Sequence, residues 1–270
     1  MSKTNAHAKA SKPMHAKPNL YDRARNLRLW GMLAHWEEYV DQPWLSTFIA
    51  REEEVRQHRT IEARIRGAHV GRFKPMADFD WQWPTKIDSE HVDDVFTLRF
   101  IEEHANAVLA GPNGVGKTMI MQNLVHLAAF RGYTSLFTTA SKVLNDLAEP
   151  DTASARERRI RKYCRPQLLA MDELGYLSYD NRHADLLFEI INRRYEEKSI
   201  VISTNRPFQE WNEIFPNSSC IGTLIDRFTH HCEIIKIEGK SYRRKEAQER
   251  AAKGKKERQA RRKERKVKTK

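Results

Sequence analysis

An apolar run, Ala107-Val108-Leu109-Ala110, leads straight into Gly111-Pro112-Asn113-Gly114-Val115-Gly116-Lys117-Thr118, and a helical pattern opens near Met119. The spacing fits GxxxxGK[ST] in the strand-loop-helix setting that gives this pattern its meaning. The reason is local. Glycines let the backbone curl so that several N–H groups converge on one phosphate, and the start of a helix adds partial positive charge. Lys117 then reaches the outer phosphates, and the Thr118 hydroxyl is placed to ligate magnesium. Such a unit narrows the fold to an α/β class with a parallel sheet, because a strand followed by a covering helix returns to the sheet by a right-handed crossover.

Four further short apolar runs follow: Ser135 to Thr138, Leu168 to Met171, Ile200 to Ser203 and Glu233 to Ile237. Most are continuous rather than alternating, as strands covered on both faces are. Helical stretches lie between them, so a doubly wound sheet of five strands is predicted over 95–239. Upstream, Leu27, Trp30, Leu33 and Ala34, then Phe48, Ile49, Val55, Ile61 and Ile65, recur at helical intervals broken near Gln42-Pro43. That spacing predicts two or three amphipathic helices over 19–66. Residues 67–94, with Pro75, Pro84, Phe79, Trp81 and Trp83, follow neither period and read as a packed connector. Residues 1–18 are rich in Lys, Ala, His and Pro, lack acids, and read as a flexible basic arm.

The formal charge of +12 is unevenly placed: residues 240–270 hold 16 Lys and Arg against 4 Asp and Glu, which accounts for all of it. A confined basic block is an electrostatic footprint for polyphosphate, with nucleic acid the favoured bearer; its other reading is a solubilising tail. Its residues form helices well but carry no apolar stripe, so an exposed helix or a disordered tail is expected. A second cluster, Arg156, Arg158, Arg159, Arg161, Lys162 and Arg165, reads either as further phosphate contacts or as a solvated helix face. No apolar run approaches the roughly 20 residues of a membrane span, and the first 18 residues lack the apolar centre of a signal peptide. A soluble cytoplasmic chain without a membrane partner is therefore expected. Cys164, Cys220 and Cys232, odd in number and without a close pair, read as reduced thiols rather than a disulfide or zinc framework. The pair His230-His231 lacks an HExxH spacing, and no Ser or Cys sits in a nucleophile motif.

The run from Leu168 ends in Asp172-Glu173, which puts two carboxylates at the C-terminal edge of the sheet, where open α/β folds bind ligands. Asp172 is the candidate to hold magnesium, usually through water, and Glu173 to orient and deprotonate an attacking water. The competing reading is a helix N-cap. The run from Ile200 ends in Asn205, whose amide can bridge the water and a γ-phosphate, or can simply serve the turn before Arg206-Pro207. Arg227 and Arg243, on either side of the last strand, are candidates to meet transition-state charge, where an arginine contributes orders of magnitude in rate. An Asp226 ion pair or a solvated charge is the alternative for them.

Six strings, Gly111 to Thr118, Leu168-Leu-Ala-Met-Asp-Glu-Leu-Gly-Tyr-Leu177, Arg193-Arg-Tyr-Glu196, Ser203-Thr-Asn-Arg-Pro-Phe-Gln-Glu-Trp211, Ile225-Asp-Arg-Phe-Thr-His-His231 and Gly239-Lys-Ser-Tyr-Arg243, together resemble the IstB-type transposition helper ATPases. These are AAA+ proteins related to the DnaC-like helicase loaders, and the resemblance runs from about Leu20 to Arg243. It implies an AAA+ P-loop core of five parallel strands in order 5-1-4-3-2 behind a small helical N-terminal region. It also implies ATP with Mg2+, homo-oligomers on double-stranded DNA, and assistance to a partner transposase in target selection. By residue, it implies nucleotide contacts from Gly111, Pro112, Asn113, Gly114, Val115, Gly116, Lys117, Thr118, Met119 and Arg243, and magnesium at Thr118 and Asp172. Catalytic roles fall to Lys117, Asp172, Glu173, Asn205 as sensor 1 and Arg227 as the trans-acting arginine, with Arg243 at the sensor 2 position. The rival reading is a loader that grips a replicative helicase; Leu27 to Met32 resembles the transposition branch more. Asn113 stands where many relatives carry Pro or Gly, and the basic tail exceeds what the family core needs. With about 31 mostly charged residues after the fifth strand, no separate lid domain is expected, so the site should close only beneath a neighbouring protomer.

Overall fold

The computed structural model describes residues 19–149, 152–176, 179–216 and 218–268, with side chains as far as Arg258; the arm expected at 1–18 lies outside them. Five parallel strands form one sheet: β1 (Asn106–Ala110), β2 (Ser135–Thr139), β3 (Leu168–Leu174), β4 (Ser199–Thr204) and β5 (Cys232–Lys236). Their order, β2-β3-β4-β1-β5, is the expected 5-1-4-3-2 taken from the other edge. Register sets Ala107 of β1 beside Val201 of β4 on one side and Glu233 of β5 on the other.

The helices in chain order are α1 (Leu20–Asn26), α2 (Trp30–Ala34), α3 (Trp36–Tyr39), α4 (Leu45–Gly67), α5 (Ser89–Phe96), α6 (Arg99–Glu102) and α7 (Lys117–Arg131). They continue as α8 (Ala140–Ala148), α9 (Ala153–Cys164), α10 (Asn181–Arg194), α11 (Trp211–Ile214), α12 (Ile221–Thr229) and α13 (Tyr242–Lys268). Successive strand residues enter opposite apolar layers. Leu169, Met171, Ile200 and Ile202 join α8, α9, α10 and α12, whereas Leu168, Ala170, Val201 and Leu109 join α5 and α7. Cover on both faces is why these strands are continuously apolar in sequence. At the edge, β5 buries only Ile235.

Arg194 fastens the end of α10. Fully buried, it donates to the carbonyls of Tyr163 (3.0 Å), Pro166 (2.8 Å), Gln167 (3.1 Å) and Ser199 (2.6 Å). One guanidinium thereby satisfies the chain ends that enter β3 and β4. Burial pushes its pKa down to about 10.

The residues up to Thr60 and those from Ile61 form two compact units, with the division inside α4. In the first, Asn19 caps α1 by accepting the Asp22 N–H at 2.8 Å, and Arg23 forks Glu53 of α4 at 2.9 and 2.7 Å. Ala24, Leu45 and Ile49 form its small buried centre. Four helices stand where spacing predicts two or three, because Arg28 turns to φ 58° and closes α1 with the Leu29 N–H on the Ala24 carbonyl, a left-handed helix stop. In the second unit α5 begins at Ser89, capped by Asp88, inside the stretch read as connector. After β5 the described residues pass through an antiparallel bridge between Glu238 and Lys86 and then enter one helix, α13.

Candidate functional site

The loop after β1 passes through left-handed backbone at Gly114 (φ 82°) and Gly116 (φ 105°), which other residues resist. Space also excludes a side chain: a Cβ on Gly116 would lie 2.4 Å from Phe79 Cε2, and one on Gly114 2.3 Å from Ser241 Oγ. α7 starts at Lys117, so the unpaired N–H groups of its first turn open onto the loop. The Lys117 ammonium is turned back on that loop, donating to the carbonyls of Gly111 at 2.6 Å and Pro112 at 2.8 Å. Burial pushes its pKa down to about 8; Asp172 opposes the shift, Arg243 adds to it, and Glu173 opposes it more weakly.

Asp172, almost fully buried, accepts the Thr118 hydroxyl at Oδ2 (2.8 Å) and the Ser203 hydroxyl at Oδ1. The Ser203 Oγ in turn accepts the Glu173 N–H at 2.9 Å. Pairing between β3 and β4 jumps from Met171 with Ile202 to Leu174 with Thr204, so two residues of β3 face Ser203 alone. This is a β-bulge, and Glu173 sits in it at φ 64°, aimed into the cavity beside the loop. The apolar run alone does not foretell that β3 continues through both acids to Leu174. Thr118 and Asp172 offer an all-oxygen donor set of the hard kind magnesium prefers, so the residues present fit that ion.

A cavity of about 250 Å3 joins Gly114 to Met119, Asp172, Glu173 and Arg243 from the sequence-predicted set. Pro112, Asn113 and Asn205 line an adjoining cleft of about 730 Å3. The Asn205 Oδ1 is buried without a hydrogen-bond partner among the described residues. Gly111 contributes its carbonyl to Lys117. Arg227 lines neither space; its guanidinium lies over the rings of Phe188 (5.4 Å) and Tyr195 (5.9 Å).

Sequence reasoning missed the connector's part in the site. Phe79, Asp80 and Trp83 line the cavity, joined by Tyr242 and Glu246 from the foot of α13. Trp83 Nε1 donates to the Lys240 carbonyl at 2.7 Å, and its ring meets Tyr242 edge-on at 5.9 Å. Lys245 pairs with Asp80 at 3.0 Å and Lys74 with Glu246 at 2.8 Å, while the Tyr242 N–H donates to the Gly114 carbonyl at 2.8 Å. The one available signal was the aromatic and acidic string Phe79-Asp80-Trp81-Gln82-Trp83, which follows no secondary-structure period. Tyr176 was also unforeseen; its hydroxyl donates to Asn113 Oδ1.

Elsewhere, three of the six cations on and beside α9 hold acids of the same chain: Arg159 with Asp146 and Glu149, Arg161 with Glu157, and Lys162 with Asp146. The three cysteines are free, and burial pushes the Cys232 thiol up to about 12, which leaves it unreactive. His230 and His231 gather with Glu196 on the surface, their ligand atoms within 4.8 Å of one another. No described helix is long and apolar enough to cross a membrane.

Residues 23–250 match the family described as IstB-like ATP binding protein. A protein of insertion sequence IS5376 from Geobacillus stearothermophilus, named as ATP-binding, is 32% identical over 239 residues, covering 85% of this chain and 95% of its own. Its counterpart in insertion sequence IS21 of Pseudomonas aeruginosa is 32% identical over 203 residues, covering 75% of this chain and 77% of its own. Among solved structures, the crystal structure of DnaI aligns with a TM-score of 0.51 at 20% identity, over 64% of this chain and 91% of that one. That last likeness is one of fold.

Proposed function

The chain belongs to the IstB-like ATP binding protein family, and on that premise we propose that it is an AAA+ ATPase serving transposition. The observation that carries the reading is the convergence of Lys117, Thr118, Asp172, Glu173 and Arg243 on one cavity beside a glycine loop. The loop amides and the first turn of α7 receive the β- and γ-phosphates, and Lys117 exchanges its loop carbonyls for phosphate oxygens. Thr118 and Asp172 hold magnesium, which when bound supplies positive charge against the phosphoryl oxygens. Glu173 takes the proton of the attacking water, and the Asn205 Oδ1, which has no hydrogen-bond partner among the described residues, orients that water. Arg243 meets the phosphates from the chain's own α13. Arg227, held away from the cavity on α12, serves the site of an adjoining copy, which ties turnover to a homo-oligomer.

Its partners on this reading are double-stranded DNA, held chiefly through phosphates by α13, and a transposase whose target choice it assists. The relatives are named for insertion sequences, which supports the transposition context over helicase loading. The test is ATP turnover by the full chain at rising protein concentration, with and without a long duplex. Turnover per chain should be weak when dilute and should rise with both, and Glu173→Gln should retain ATP while losing at least about 100-fold in turnover. A Glu173→Gln protein that hydrolyses ATP normally would overturn the assignment of the site.

A further inference from the structure

We propose that Ser203 is a positioning residue that holds both carboxylates of this site in working register; the inference rests on the ATPase reading above. Ser203 is the next-to-last residue of β4 and is 1% exposed, where a hydroxyl is costly unless it is bonded. Its single oxygen is used twice. It donates to Asp172 Oδ1 and accepts the Glu173 N–H at 2.9 Å.

The second bond repairs a gap in the sheet. In a regular parallel ladder the Glu173 N–H would find a carbonyl of β4, but the bulge sets Asp172 and Glu173 against one residue, and the Ser203 side chain stands in for that carbonyl. Glu173 is thereby kept at φ 64°, a conformation that L side chains resist and that persists only where neighbours impose it. The first bond commits Asp172 Oδ1, which leaves Oδ2 for Thr118 at 2.8 Å. One hydroxyl thus fixes the backbone of the proposed base and the side-chain angle of the proposed magnesium acid. Alanine at 203 would leave an acceptor and a donor unpaired at once, and β3 could recover a regular ladder only by swinging the Glu173 carboxylate away.

Ser199, on the same strand, provides the contrast. It is equally buried, yet its hydroxyl donates to the Phe100 carbonyl at 3.1 Å and touches nothing in the cavity. The experiment compares Ser203→Ala, Ser203→Cys and Ser199→Ala in the full chain. It measures kcat and KM for ATP, binding of a fluorescent ATP analogue, the thermal midpoint, and amide hydrogen exchange in the peptide containing Glu173. Ser203→Ala should lower kcat by at least about tenfold, as small misplacements of catalytic groups do, with nucleotide affinity changed less than about threefold. Exchange at Glu173 should quicken by about tenfold or more once its amide loses its acceptor. Ser203→Cys, which keeps a weak donor and acceptor, should fall between, and decides the matter should the alanine variant fail to fold. Ser199→Ala should lower the thermal midpoint and leave kcat and Glu173 exchange as they were.

Retention of kcat within about twofold in Ser203→Ala, or an equal loss in Ser199→Ala, would overturn the proposal. A parent protein that binds the analogue without ever turning over ATP overturns the ATPase reading instead. The exchange comparison still judges Ser203 in that case: unchanged protection at Glu173 in Ser203→Ala sinks the positioning role, and lost protection sustains it.

Discussion

Lys117 waits as a buried cation bonded to its own loop, and its depressed pKa makes two opposite pH effects measurable. The folded chain releases this proton near pH 8, whereas the unfolded chain holds it to roughly 10.4. Between those values the unfolded state binds more protons, so this lysine's contribution to stability rises with pH across the window. Nucleotide acts the other way. Phosphate favours the charged amine, so affinity for ATP should decline as pH climbs past about 8, and binding near pH 9 should take up close to one proton. Calorimetry in two buffers of different ionisation enthalpy measures that uptake, and it should vanish in Lys117→Met. That Lys117, Thr118, Asp172 and Glu173 meet at one cavity was legible, because the loop pattern and the strand-end acids mark the same edge of a parallel sheet. The left-handed turn at Glu173 was not legible. It arises from how β3 registers against β4, which no local pattern records.

At the scale of elements, the start of α7 depends on two glycines with no room for a side chain. Gly116→Ala should cost about 1–2 kcal/mol from the left-handed backbone alone, with the Phe79 contact in addition. Nucleotide binding should be lost before the fold is, as a denaturant midpoint paired with an ATP titration would reveal. Arg194→Met removes the donor from four carbonyls, those of Tyr163 and Ser199 in buried bonds and those of Pro166 and Gln167 in part-buried ones, and should destabilise by roughly 3 kcal/mol, read as a lowered urea midpoint without a change in the nucleotide site. The strands and their covering helices could be foreseen from continuous apolar runs. The connector could not, because Phe79 and Trp83 act through contacts with Gly116 and Lys240 rather than through any period of their own. The basic face of α9 shows the same limit: charge counting admits two readings of Arg159, Arg161 and Lys162, and only the fold pairs them with Asp146 and Glu157.

On the scale of the whole molecule, Arg227 and α13 carry the predictions. Glu173→Gln and Arg227→Ala should each be inactive alone, yet mixing the two should restore part of the turnover. One variant then supplies the arginine and the other the intact acid. No recovery on mixing would place Arg227 outside the shared chemistry. α13 has 27 residues, so it spans roughly 40 Å at the helical rise, and the family match ends at residue 250, early in its course. Ending the chain after Arg250 keeps Lys245 and Glu246 with their partners at the cavity while removing most of the positive block. Duplex binding should then lose salt sensitivity, by about 0.9 in the log–log slope for each phosphate contact removed, with turnover in the absence of DNA unaffected.

The foot of α13 is anchored on the turn that would wrap the triphosphate, since the Tyr242 amide is bonded to the Gly114 oxygen and Ser241 packs where a Gly114 side chain would be. By thermodynamic reciprocity, any factor by which the adenine nucleotide tightens the hold on a duplex is the same factor by which the duplex tightens the hold on nucleotide. With a factor above one, whichever polyanion arrived first would prime the protein for the other; a factor of one would leave the two sites independent.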